Sequence, residues 1–261
     1  MKWLSCISLS VLLIFTASAF AAVTEKKVQL PDKLGSAVIY GNDSIKNQGT
    51  GVIVIHEWWG FNDYARSRAK MLAELGYTSI AVDMYGTGKV ADHPDNAMAF
   101  MEEAMKDPEK INARFEAAMA LLKAESGVDA SRIYAMGYCF GGGVVLNQAR
   151  MGKNLAGVAS FHGMLTSKKF KADATTLKAK ILVAHGGADP FVPPEQASSF
   201  VTEMLEAGAD LDFRVYPGVK HSFTVPDASA KGEAFGMPFK YDEQADKDSW
   251  AALLRMLEQK S

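Results

Sequence analysis

Short apolar runs rich in β-branched residues alternate along this chain with longer stretches whose apolar positions recur every three or four residues. The first kind reads as buried strand and the second as amphipathic helix. "KVQL" and "SAVIY" read as an opening hairpin, Gly51–His56 as a buried strand, Arg66–Gly76 as a helix stopped by glycine, and Thr78–Asp83 as the next strand. Helices are predicted over about Pro94–Met105 and Pro108–Glu125. "RIYAMGY" (strand), "FGGGVVLNQAR" (helix), "LAGVASFHG" and "AKILVAHG" (strands), "PEQASSFVTEMLEAG" (helix), "LDFRVYPG" (strand) and a closing helix over about Glu243–Gln259 complete the order. Strands alternating with helices imply an α/β fold, with a mostly parallel central sheet and helices on both faces. The opening hairpin belongs at an antiparallel edge. Asp227–Gln244 reads as a long polar loop broken by glycine and proline, of a length that often serves function.

In such a sheet, sites form at the carboxyl ends of the strands. Those ends hold His56, Glu57, Asp83, Cys139, His162, the segment His185–Asp189 and the turn with His221. The titratable residues therefore gather on one edge.

The first 21 residues combine Lys2, an apolar run and small residues at Ala17, Ala19 and Ala21, the pattern of a secretory signal peptide cleaved after Ala19 or Ala21. Residues 22–261 then form a single domain, exported to the periplasm or beyond, with no membrane span in the mature form. The net charge of the chain is -2, and no basic block points to nucleic acid. Of two cysteines, Cys6 leaves with the leader. Cys139 remains alone and cannot form an internal disulfide, so its reactivity becomes the question.

Cys139 sits in "GYCFGGG", a G-x-C-x-G pattern between a predicted strand and a predicted helix. A nucleophile elbow has this form: a sharp, strained strand-to-helix turn flanked by residues without side chains. The helix N-terminus beyond it favours thiolate over thiol. "AHGGADPFVP" offers Asp189 after a later strand, and "YPGVKHSF" offers His221 after the last one. Nucleophile, acid, histidine is the chain order of the α/β-hydrolase arrangement. In it His221 exchanges the proton of Cys139, and Asp189 orients the imidazole and stabilises its charged form. "HEWWG" is not a zinc motif, because Gly60 stands where H-E-x-x-H needs histidine. No metal and no cofactor is expected.

With "VIHEWWGFND" and "AVDMYG" added to these three motifs, the chain resembles the dienelactone hydrolase family of α/β-hydrolases from about Val28 to its C-terminus. The resemblance implies Cys139 as nucleophile with His221 and Asp189. It implies Glu57 in contact with the resting thiol, and an oxyanion held by the backbone N–H groups of Trp58 and Phe140. Two departures bear on substrate. The family's dienelactone hydrolases bind the substrate carboxylate with arginines, one shortly after the "D-x-Y" segment and one four residues beyond the histidine. Here the first region reads Gly86, Thr87, Gly88, with Lys89 following, and the second position is Val225. Lys89 could supply charge but lacks the arginine fork. Trp59, Tyr85, Phe191 and Phe223, with Trp58 and Phe140, could line a less charged, apolar pocket.

The expectation is thus an exported hydrolase that cleaves a small ester or lactone through a Cys-His-Asp triad and a thioester. Two other readings stay open: a thiol-reactive binding or sensor protein on the same scaffold, and a thioesterase or peptidase.

Overall fold

The computed structural model describes residues 23–45, 47, 49–86 and 88–259. The expected leader lies outside the described residues. Among the described residues, eight strands form one sheet: β1 (Val23–Leu30), β2 (Gly35–Asn42), β3 (Gly51–Ile55), β4 (Thr78–Val82), β5 (Ile133–Tyr138), β6 (Gly157–Phe161), β7 (Lys180–Gly186) and β8 (Leu211–Tyr216). Their order is β1-β2-β4-β3-β5-β6-β7-β8. β1 and β2 pair antiparallel, β2 pairs antiparallel with β4, and every pairing from β4 to β8 is parallel. The predicted α/β class and the hairpin at the sheet edge are both present.

Among the described residues are seven α-helices: α1 (Asp63–Glu74), α2 (Pro94–Met105), α3 (Pro108–Lys123), α4 (Phe140–Arg150), α5 (Pro194–Glu206), α6 (Ala228–Phe235) and α7 (Glu243–Glu258). The period of two along each strand divides the core into two layers. Ile53, Ile55, Ile80, Val82 and Val158 face Phe115, Leu122, Val145 and Phe200 of α3, α4 and α5. Their alternates Val52, Val54, Ala81, Met136 and Ala159 face Leu72 of α1 and Leu253 and Leu257 of α7. With both faces covered, the central strands are apolar without alternation, as their sequences are.

Helix α1 begins three residues before the predicted Arg66, because the Asn62 side chain accepts the Ala65 N–H. The segment Asp227–Gln244 is not all loop. It contains α6, and it returns at Phe239 to bridge His221. A mid-helix glycine, Gly232, hid that helix. A Cβ there would lie 2.4 Å from the Phe239 carbonyl oxygen, so the residue serves a close approach rather than a break.

Arg150 ends α4, is buried, and forks onto Glu203 of α5 with Nε–Oε1 and Nη2–Oε2 distances of 2.9 and 2.8 Å. Its Nη2 also donates to the Leu165 carbonyl at 2.6 Å. Removing the carboxylate leaves a buried guanidinium uncompensated, which costs about 3 kcal/mol. Glu203→Ala should lower the urea-unfolding free energy by about that amount.

Candidate active site

The parallel register brings Ile55, Val82, Gly137, Ser160 and Val183 level, and the chain leaves every parallel strand at the same edge. Cys139 lies between β5 and α4 with φ 51° and ψ -112°, a conformation few L-residues adopt. The turn that forces it is tight. A Cβ on Gly137 would lie 2.2 Å from the Gly141 carbonyl carbon, and one on Gly141 would lie 2.6 Å from the Ile55 carbonyl oxygen. The expected elbow is therefore present, with its glycines at the points of contact. Of five non-glycine residues with positive φ among those described, three are here: Cys139, His162 and Ser222. Such strain concentrates at working sites.

His221 follows β8 and lies beside the Asp189 carboxylate, with Nδ1 and Oδ2 2.6 Å apart. The other carboxylate oxygen accepts the Phe191 N–H at 2.9 Å, which fixes the acid in its turn. Burial alone would lower the affinity of His221 for its proton. The Cys139 sulfur and the Asp189 carboxylate beside it reverse that, and the imidazole is pushed up to about 10.

Glu57 is buried at the end of β3, and burial raises its carboxyl above the usual range. Ser222 Oγ donates to its Oε1 at 3.0 Å, while Oε2 has no partner. Phe140 is the first residue of α4, so its N–H has no intrahelical acceptor. Trp58 has no acceptor for its N–H among the described residues. The Tyr85 hydroxyl donates to the Trp58 carbonyl at 2.8 Å and so holds that peptide in place.

The structure separates the candidate pocket residues. Phe191 is 43% exposed and meets the His221 ring edge-on at 5.0 Å, at the mouth of the site. Trp59 is buried against Trp58 and against Phe235 and Phe239 of the α6 segment. Tyr85 lies beneath, packed on Phe140 and His56. Phe223 is a correction. It is fully buried in the layer beneath α1 and α7, against His162 and Tyr216, and lines no opening. The reversed φ at Ser222, 56°, turns the chain so that His221 faces the site and Phe223 enters the core.

Other strand-end residues brace the turns. His56 Nδ1 donates to the Glu57 carbonyl at 2.5 Å and Nε2 accepts the Met84 N–H at 3.1 Å, tying β3 to the turn after β4. Asp83 accepts the N–H groups of Tyr85, Gly86 and Gly88. His162 meets the His221 ring at 5.0 Å, and its Nε2 lies 2.9 Å from Thr224 Oγ1. That threonine ends a buried network that sequence reading missed. Tyr64 donates to its hydroxyl at 2.7 Å, and Arg68 donates to its carbonyl at 2.7 Å while pairing with Asp246. Ser222 was missed as well; its one signal was adjacency to His221. Lys89 is tied to Glu103 at 3.0 Å. Lys231 of α6 acts on Glu57 as a second cation, after His221. It lies 5.0 Å above the Trp59 ring and 2.9 Å from Asp227.

The dienelactone hydrolase family profile matches residues 36–261. The chain belongs to the dienelactone hydrolase family. Its members are hydrolases of esters or lactones, and so is this protein. It is similar to a dienelactone hydrolase-like promiscuous phosphotriesterase from metagenomic libraries, at 30% identity and a TM-score of 0.82 over 90% of this chain and 98% of the other. It is also similar to a solved structure named m3DLH, at 32% identity and a TM-score of 0.82, covering 91% and 98%. Protein usf of Aquifex pyrophilus is 30% identical over 67% of this chain and 77% of its own length. These matches agree with the α/β-hydrolase fold described above.

His162 supplies a test of the site's electrostatics. Burial holds it neutral, well below the usual histidine range, and the charge of His221 adds to the effect. In the unfolded chain it protonates near pH 6.5. A lowered folded-state pKa means stability present above that pH and lost as pH falls below it, by up to about 1.4 kcal/mol per pH unit. His162→Gln should therefore lose urea stability less steeply than the parent protein from pH 6.5 toward about 5.

Proposed function

We propose that Cys139, His221 and Asp189 form a catalytic triad that cleaves small, neutral esters or lactones through a thioester. The Cys139 thiolate attacks the carbonyl carbon, a C–S bond forms, and the carbonyl oxygen becomes an oxyanion received by the Phe140 and Trp58 N–H groups. When the tetrahedral adduct collapses, the C–O bond breaks and the His221 imidazolium protonates the departing alkoxide. A water then gives its proton to His221 and its oxygen to the thioester, releasing the acid and restoring the thiolate. Asp189 stays ionised throughout and stabilises the imidazolium. Glu57, whose carboxyl burial pushes toward its neutral form, faces the same space. The observation behind this reading is the 2.6 Å His221–Asp189 contact beside a cysteine on a strained elbow.

Cys139→Ala should abolish turnover of a chromogenic short-chain ester and cost about 1 kcal/mol of stability, a typical point-mutant value. Activity close to that of the parent protein would sink the mechanism. Catalytic turnover separates a hydrolase from a thiol sensor, which would be modified once and stop. A phosphotriester belongs in the same screen, because a structural relative is named as a promiscuous phosphotriesterase.

Substrate charge follows from the missing arginines. An anionic group buried without a paired cation is penalised by about 3 kcal/mol, roughly a hundredfold in binding. Neutral esters or lactones should exceed anionic dienelactone in kcat/KM. The opposite order, lost on Lys231→Met, would assign the arginines' work to Lys231.

We also propose export, on the strength of the leader pattern in residues 1–21. N-terminal sequencing of the protein from its native host should begin between Phe20 and Val23, and retention of Met1 would count against it.

A further inference from the structure

A cavity of about 370 Å³ lies beside the triad rather than over it, between α3, α4 and the segment 164–170 that follows β6. Apolar side chains of Met105, Ile111, Phe140, Val144, Met164 and Phe170 line it, and Cys139, Asp189 and His221 do not. Phe140 belongs to both places: its N–H faces the elbow, and its side chain lines the cavity.

Besides Asn147, Thr166 and Ser167, the cavity has two polar features that differ in kind. Gln148 lines it and is fully buried. Its Nε2 donates to Asn112 Oδ1 at 2.9 Å, and Asn112 Nδ2 donates to the Met151 sulfur at 3.4 Å. A thioether accepts and cannot donate, so it sets the orientation of the Asn112 amide. That in turn commits the Gln148 nitrogen to Asn112 and leaves its Oε1 buried without a partner. A buried acceptor left unmet costs more than a made hydrogen bond returns. At the rim stand Lys168, exposed and without an ion-pair partner among the described residues, and Lys169, which is 3.8 Å from an exposed Glu109.

We propose that this cavity binds a small hydroxy-carboxylic acid. The apolar body lies against Ile111, Val144 and Met164, the hydroxyl donates to Gln148 Oε1, and the carboxylate meets Lys168 and Lys169 at the rim. The volume falls in the range of small-molecule sites. Opening a lactone with water yields a molecule of this kind, a carboxylate and a hydroxyl on one carbon frame. The choice of ligand therefore rests on the ester or lactone reading of the neighbouring site, and the cavity acts as a product site on the flank of the nucleophile helix.

The test uses Cys139→Ala protein and three probes, 6-hydroxyhexanoate, hexanoate and 1-hexanol, followed by titration calorimetry and saturation-transfer NMR. The hydroxy acid should bind saturably and about fivefold more tightly than hexanoate, the worth of one hydrogen bond, and hexanol should bind most weakly. Gln148→Leu should erase the difference between the two acids. Lys168→Glu should weaken both acids and leave hexanol unchanged. Met164→Trp, which fills the cavity from its half-buried rim, should abolish binding with the urea midpoint reporting that the fold is kept. Hydroxy acid and hexanoate binding equally, or no saturable binding at roughly millimolar concentration, would overturn the proposal. So would binding that disappears when Cys139 of the parent protein is carboxymethylated, since that places the acid at the triad. Intact binding with no ester turnover would remove the catalytic reading and leave the cavity standing; turnover without binding would do the reverse.

Discussion

One backbone contact governs the site. Gly137 at the end of β5 approaches Gly141 in the first turn of α4 so closely that it tolerates no Cβ, and Gly141 in turn lies against the Ile55 and His56 carbonyls with no room for one. That approach makes the strand-to-helix turn tight enough to hold Cys139 at φ 51°. The free N–H groups of the α4 N-terminus open onto that turn. Remaining contacts are arranged around that fixed point. β3 delivers Glu57 and the Trp58 peptide to one side, and the turns after β7 and β8 deliver Asp189 and His221 to the other.

Charge at this edge is settled by burial working against proximity. Water is excluded from His221, His162 and Glu57 alike, and burial by itself would neutralise all three. Only His221 has anionic partners close enough to reverse it, so it stays charged while His162 and Glu57 move toward their neutral forms. The result is that one imidazole keeps its charge while its buried neighbours add little competing charge. The Arg68–Tyr64–Thr224 network holds His162 against the His221 ring and connects the site to Asp246 on α7. This explains why an arginine on α1, far from the elbow in sequence, is buried.

Much of this was legible in the chain. Apolar periodicity located the strands and helices because both faces of the sheet are covered. The elbow and the order of Cys139, Asp189 and His221 were legible because each depends on neighbours in sequence: glycines beside the cysteine, strand ends before the acid and the histidine. Ser222, Thr224, Tyr64, Arg68 and Lys231 were not legible, since their contacts cross up to 178 residues, as between Arg68 and Asp246. Phe223 was misplaced for a related reason. Its side depends on the reversed φ of Ser222, which no pattern of hydrophobicity records.

The sequence by itself determined the fold class, the sheet edge where the chemistry gathers, and the identity of the candidate nucleophile. Those follow from local rules of side-chain period, turn sterics and strand ends. Tertiary structure alone decided which strand-end residues face the reaction and which brace it, that α6 packs against Trp59, and that a separate cavity adjoins Phe140. Those outcomes depend on distances between segments remote along the chain, and on whether burial or a nearby charge prevails at each group.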